Sequence, residues 1–171
     1  MKVNLDELNR AARETAEARF LDCCGSRNWA LKMTEARPFA SVSELLKQAE
    51  EIWLNLETDD WLEAFAAHPK IGARKAAAQQ QAQAAEWSRG EQAGTDAATE
   101  SVLEELAGAN RLYENKFGYI FIVCASGKSA EEMLGFCKER LNNAADSEIR
   151  IAAREQRKIT EIRLKKLLEI E

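Results

Sequence analysis

An all-helical bundle is the fold class that this sequence predicts, and three observations predict it. N-cap residues stand three positions before a Glu at Asn4-x-x-Glu7, Ser41-x-x-Glu44 and Ser129-x-x-Glu132, the spacing of reciprocal caps at helix starts. Apolar residues recur at helical spacing behind those caps. Only residues 119–125, Tyr-Ile-Phe-Ile-Val-Cys-Ala, have strand-like composition. A lone strand has nothing to pair with, so a buried extended connector is an equal reading of that segment.

Taken in order, the first cap opens an N-terminal helix that Gly25 closes. A short helix around Trp29 to Glu35 follows and ends at Arg37-Pro38. Behind Ser41, residues Leu45, Ala49, Ile52, Trp53 and Leu56 form one apolar face. Asp59 or Asp60 then caps a short helix from Trp61 to Ala67. That helix ends near His68, because the residue before Pro69 is pushed away from helical dihedrals. Residues 73–87, rich in Ala and Gln, read as a helix with a thin buried edge. The polar stretch 88–96, with Gly90 and Gly94, reads as a connection. A helix from about Thr99 to Lys116 is stopped by Gly118. The helix capped by Ser129 frays at Asn142-Asn143, and the last spans about Ser147 to Leu168. No repeat, low-complexity linker or domain boundary interrupts the pattern, so one domain over residues 1–171 is expected.

Composition narrows the function. A chain of 171 residues can bury roughly 68–70% of its unfolded surface without a disulfide or metal staple. Net charge is −5, with Lys and Arg scattered among Asp and Glu, which argues against nucleic acid or an anionic membrane as partner. The longest apolar run, Tyr119 to Ala125, is far short of the roughly 20 residues of a membrane helix. The start, Met1-Lys2-Val3-Asn4-Leu5-Asp6, lacks the apolar core of a signal peptide. Cys23, Cys24, Cys124 and Cys137 contain no CxxC pair, so reduced thiols in a cytoplasm are expected. Nucleotide-binding glycine loops and the GxSxG elbow are absent from the sequence.

Three features could carry chemistry. His68, the single histidine, sits at a helix C-terminus with proline after it. The helix dipole favours an imidazolium there by roughly 0.3–1 kcal/mol. That suits a general acid, and it equally suits a plain helix cap. A single imidazole also removes metal sites built on several. On the last helix, wound at about 100° per residue, Ile149, Ala152, Ala153, Ile159, Leu164 and Leu167 share one face, and Gln156 and Arg163 fall in its middle. A guanidinium there must meet an anion, either an internal Asp or Glu or a ligand carboxylate. Ser88-x-x-Glu91-Gln92 starts a helical turn or projects hydrogen-bonding groups into a site. The tryptophans 29, 53, 61 and 87 fit a core.

Taken together, these residues resemble a family. Cys24-Gly25-Ser26 with Trp29, Arg37-Pro38-Phe39 and Ala64-Phe65-x-x-His68-Pro69-x-Ile71-Gly72 come first. Ser88-x-x-Glu91-Gln92 and Asn110-x-x-Tyr113-x-x-Lys116-Phe117-Gly118-x-x-Phe121-Ile122-x-Cys124-Ala125 follow. The last are Arg140-Leu141-x-Asn143 and Glu155-x-x-Lys158-Ile159-x-x-x-Arg163-Leu164. In that order they are similar to the OHCU (2-oxo-4-hydroxy-4-carboxy-5-ureidoimidazoline) decarboxylases, which make (S)-allantoin in urate breakdown. The resemblance implies the all-α single-domain bundle of that family, a small-molecule substrate, a homodimer, and no metal or organic cofactor. It implies His68, Glu91 and Arg163 as catalytic residues. Pro69, Ser88, Gln92, Phe121, Ile122 and Ala125 are implied to bind substrate. Two departures stand out: Lys70 where family members often carry an acid, and the ending Glu169-Ile170-Glu171 where peroxisomal members carry a targeting tripeptide. A helical interaction module, or a lyase for another ureido or hydantoin acid, are the alternatives.

Overall fold

The computed structural model describes residues 3–70, 86–87 and 98–170, and every regular element among them is helical. In chain order these are α1 (Leu5–Arg10), α2 (Arg13–Cys24), α3 (Arg27–Glu35), α4 (Val42–Leu54), α5 (Thr58–Ala66), α6 (Glu100–Phe117), α7 (Ala130–Arg140) and α8 (Ala145–Leu167). Apart from 86–87, which are helical, the helix expected over 73–87 and the connection expected over 88–96 lie outside the described residues. Residues 120–125 carry no regular structure, and 121–125 are buried, so the segment is the extended connector rather than a strand.

The caps act as their sequences indicate, with instructive differences. Asn4 and Ser129 form full capping boxes with Glu7 and Glu132. Ser41 accepts from the Glu44 N–H, but the Glu44 carboxylate reaches one residue further back, to the Ala40 N–H at 2.6 Å. At α5 the helix begins earlier than Asp59 or Asp60 suggests. The Glu57 carbonyl accepts from the N–H groups of Asp60 and Trp61, and the Asp60 carboxylate accepts from the Glu57 N–H. α8 likewise opens at Ala145, two residues before Ser147.

The one helix expected up to Gly25 is in fact two. Ala11 and Ala12 are extended, with ψ of 146° and 149°. The cause lies about 26 residues away in sequence. The Arg37 guanidinium donates to the carbonyls of Leu8 and Ala11 at 2.8 and 2.9 Å, supplying donors that a continuing helix would otherwise provide. The Asn9 amide, meanwhile, exchanges two hydrogen bonds with the main chain of Phe39, at 2.8 and 2.9 Å.

The chain divides into two compact units, Met1–Ala64 with Arg157–Glu171, and Phe65–Gln156. In the first, Phe20 meets Trp29 and Phe39 edge-on, and the Trp29 indole N–H donates to the Ala49 carbonyl at 3.0 Å. Gly25, in the left-handed region at φ 85°, ends α2 and lets α3 start at Ser26. Trp53 and Trp61 pack 6.1 Å apart, and the Trp61 N–H caps the Trp53 carbonyl.

The second unit is built around Tyr113, whose ring lies 4.6 to 5.8 Å from those of Phe117, Tyr119 and Phe121. Beside this cluster is a fully enclosed carboxylate, Glu148. It accepts from the Arg140 Nε at 2.7 Å, the Asn143 amide at 2.6 Å and the Tyr113 hydroxyl. Arg140 also donates to the Ile122 carbonyl at 2.8 Å and lies over the Phe121 ring. Burial and donation to Glu148 push the Tyr113 hydroxyl far up, so it stays a donor. Removing one partner of such a buried pair leaves the other uncompensated. Glu148→Ala should therefore destabilise the protein by about 3–5 kcal/mol, read as a lowered midpoint in denaturant unfolding. A midpoint equal to wild type would contradict the network's role.

Candidate active site

His68 lies two residues past the end of α5, where its N–H donates to the Phe65 carbonyl at 3.1 Å. Phe65 itself is fully buried and packs on Tyr119 with ring centres 5.3 Å apart. The histidine is therefore carried by a fixed helix end, with Pro69 limiting its backbone. Its Nε2 is 2.7 Å from Oε1 of Gln156, a side chain with no exposed surface. The amide oxygen can only accept, so in this pair Nε2 is the donor. Gln156 orients the ring without adding a charge.

The connector beside this histidine is held by side chains rather than by a sheet. The Glu155 carboxylate accepts from the Cys124 N–H at 2.8 Å. Lys128 Nζ donates to the Cys124 carbonyl at 2.7 Å, and its N–H to the Ala125 carbonyl. The N–H groups of Ile122, Val123 and Ala125 take no partner among the described residues. Phe121 and Ile122 are buried, Phe121 under Arg140, and Pro69 is half-buried. Lys70 forms a 2.6 Å ion pair with Glu114 at the surface. Ser88, Glu91 and Gln92 lie outside the described residues.

In the unit that holds the C-terminal turns of α8, Arg163 is 3% exposed, as helical winding indicates. Ile149 is half-buried, while its neighbour Glu148 takes the fully buried position. The guanidinium lies at the C-terminal end of α2, with Nη1 3.5 Å from the Asp22 main-chain carbonyl. The Asp22 carboxylate forms no ion pair among the described residues, so Arg163 is not paired with it. Thr160, one turn away, hydrogen-bonds the Cys24 thiol. Among the described residues no cluster of His, Cys, Asp and Glu could hold a metal, and no helix is long and apolar enough to cross a membrane.

Spacing alone raised Gln156 as an anomaly on an apolar face but gave it no role. Glu155 entered only as part of a family motif, and Asp22 and Thr160 carried no signal at all, since each looks like an ordinary surface polar residue in one dimension.

A small helical protein presenting an oriented imidazole and a buried guanidinium defines the class. The OHCU decarboxylase family model matches residues 9–165, and the chain belongs to that family. It is 45% identical over 158 residues to the uric acid degradation bifunctional protein of Arabidopsis thaliana, covering 91% of this chain and 48% of that protein. The chain thus spans about half the length of that relative. It is 24% identical to the 2-oxo-4-hydroxy-4-carboxy-5-ureidoimidazoline decarboxylase of Haloferax volcanii, over 95% of each chain. A crystal structure of OHCU decarboxylase in the presence of (S)-allantoin superposes with a TM-score of 0.76 at 41% identity, covering 93% of this chain and 99% of that one.

Burial also fixes the state of Cys24, whose thiol it pushes from the ordinary 9.0 up to about 12, outweighing the pull of Thr160 and Arg163. The unfolded chain ionises this thiol near 9, so its contribution to stability is complete below that pH and is lost between 9 and 12. Cys24→Ala should lose less stability than wild type across that interval, measured as denaturation midpoints against pH. Parallel curves would place the thiol in contact with solvent.

Proposed function

We propose that this chain decarboxylates OHCU to (S)-allantoin in urate degradation, with His68 as the acid–base group. Family membership supports the reaction. The observation that supports the residue assignment is the single histidine, one of whose ring nitrogens is engaged by a buried amide that fixes the ring.

The chemistry explains why so plain a site suffices. The substrate's carboxylate sits on the ring carbon that also bears the hydroxyl. When its bond to the ring breaks, CO2 leaves and the electron pair enters the neighbouring imidazoline C=N bond, giving an enol. Protonation of the ureido-bearing carbon then turns the hydroxyl-bearing carbon into the ring carbonyl, and the face protonated sets the (S) centre. The substrate is its own electron sink, so we assign no metal or organic cofactor.

His68 delivers that proton through Nδ1, with Pro69 fixing its approach. Arg163 holds the substrate carboxylate, or the charge that develops as it leaves, through its planar fork. Glu91 and Gln92 grip ureido and ring N–H groups, and Ser88 lines the site with them. Phe121, Ile122 and Ala125 contribute mainly as the rigid connector, whose unspent N–H donors at Ile122 and Ala125 suit an oxyanion. We take residues 1–171 to act as one domain, from the uninterrupted helical pattern, as a homodimer, from the family resemblance, and in the cytoplasm, from cysteines that form no CxxC pair.

His68→Asn should lower turnover by roughly 10²–10⁴-fold and abolish the excess of (S)-allantoin, while far-ultraviolet circular dichroism stays helical. Turnover is followed polarimetrically with urate oxidase and hydroxyisourate hydrolase generating the substrate. Wild-type stereoselectivity in this variant would remove His68 from the mechanism. Arg163→Lys keeps the charge but loses the fork, and should reduce turnover by about 10²-fold. An undiminished rate would leave Arg163 as a cap on α2 alone.

A further inference from the structure

Asp22 breaks three local rules at once. It lies in the last turn of α2, where the helix dipole disfavours a carboxylate, and no basic residue occupies that turn. Its Oδ1 is buried and has no hydrogen-bond partner. Its main-chain carbonyl, not its carboxylate, is what Arg163 contacts, so the nearest buried cation does not neutralise it. Burial pushes the Asp22 carboxyl up, with the charges of the chain's amino terminus and, less strongly, of Arg163 pulling the other way. An orphaned carboxylate oxygen is costly, and native structures keep few of them without a reason. Stability alone would replace this residue, since Ala or Lys at that turn relieves both the dipole and the missing bond.

The missing partner must be a donor. Arg163 is next door, and it is the group assigned to the anionic end of the substrate. We propose that Asp22 is a substrate-binding residue, its Oδ1 accepting an N–H of the ureido or ring amide while Arg163 holds the carboxylate, an inference that rests on the decarboxylase reading above. A guanidinium and a carboxylate oxygen side by side select a ligand with an anion at one end and an N–H donor adjoining it. They reject a dicarboxylate of the same size, whose second charge would face Asp22. This pairing adds selectivity that neither an arginine nor a histidine supplies, because a buried acceptor left unpaired discriminates strongly against ligands lacking its complement.

The product is a useful probe, because (S)-allantoin retains the N–H groups and has lost the carboxylate. Its binding is measured calorimetrically on wild type, Asp22→Ala and Asp22→Asn, alongside OHCU turnover. Asp22→Ala should weaken (S)-allantoin and raise KM by roughly 10- to 100-fold, with kcat little changed. Asp22→Asn, which keeps an acceptor oxygen in the same place, should recover most of the loss. Should Asp22→Ala fold poorly, Asp22→Leu supplies the same shape without the acceptor. An unchanged dissociation constant in the apolar variants overturns the inference, even if they unfold more easily. So does an Asp22→Asn variant as weak as Asp22→Ala. Failure of the decarboxylase reading is distinct: wild type would then leave OHCU untouched, whatever Asp22 does.

Discussion

A carboxylate without solvent organises one half of this molecule. Glu148 is wholly enclosed, and a buried anion must be met by donors on every side or it unfolds its surroundings. The donors come from α6 (Tyr113), α7 (Arg140) and the turn before α8 (Asn143), so a single side chain dictates where three helices meet. Arg140 extends the constraint by taking the Ile122 carbonyl, which fixes a connector that has no strand to lean on. The result is a non-helical backbone held in place from inside a helical protein. Such a backbone can offer N–H groups, which a helix cannot, because a helix spends its own.

The legibility of the fold followed the range of the forces involved. Caps, apolar spacing and the stop at Gly118 are local, and α3, α4, α6 and α7 could be placed from them. The break between α1 and α2 could not, because Arg37 supplies the donors from far along the chain. The start of α5 was misplaced for a subtler reason: Asp60 acts as the residue that reaches back, so an acid within the first turn looked like the cap itself. Glu148 was invisible as a core residue. A glutamate beside Ile149 on an amphipathic helix is usually solvated, and only its three donors, Tyr113 from far along the chain and Arg140 and Asn143 from just before it, reverse that expectation.

The candidate site was legible where a residue was out of character. His68 stood out by being alone, and Arg163 by falling on an apolar face. Gln156 fell on the same face but a neutral amide names no chemistry until the imidazole is placed against it. Asp22 was the opposite case. It looks unremarkable in sequence, and becomes anomalous only when its surroundings deprive it of a partner. Anomalies of burial are three-dimensional by nature, so sequence periodicity detects those on long helices and misses those at helix ends.

Arg163 has two competing explanations. A guanidinium at the C-terminal end of α2 satisfies an open carbonyl and complements the dipole, which is sufficient reason to keep a cation there. Yet a lysine on α2 itself would do that from the surface, without burying a charge. The contact to Asp22 is also long at 3.5 Å, a distance at which a neutral acceptor offsets little of the desolvation of a guanidinium. Capping therefore accounts for where one edge of the group is anchored. Enclosure is what strengthens its pull on an anion, since the same charge in water would be screened to a small fraction of its effect. Anchored at α2 and enclosed, this guanidinium has the rigidity and the field that the proposed contact with a substrate anion requires.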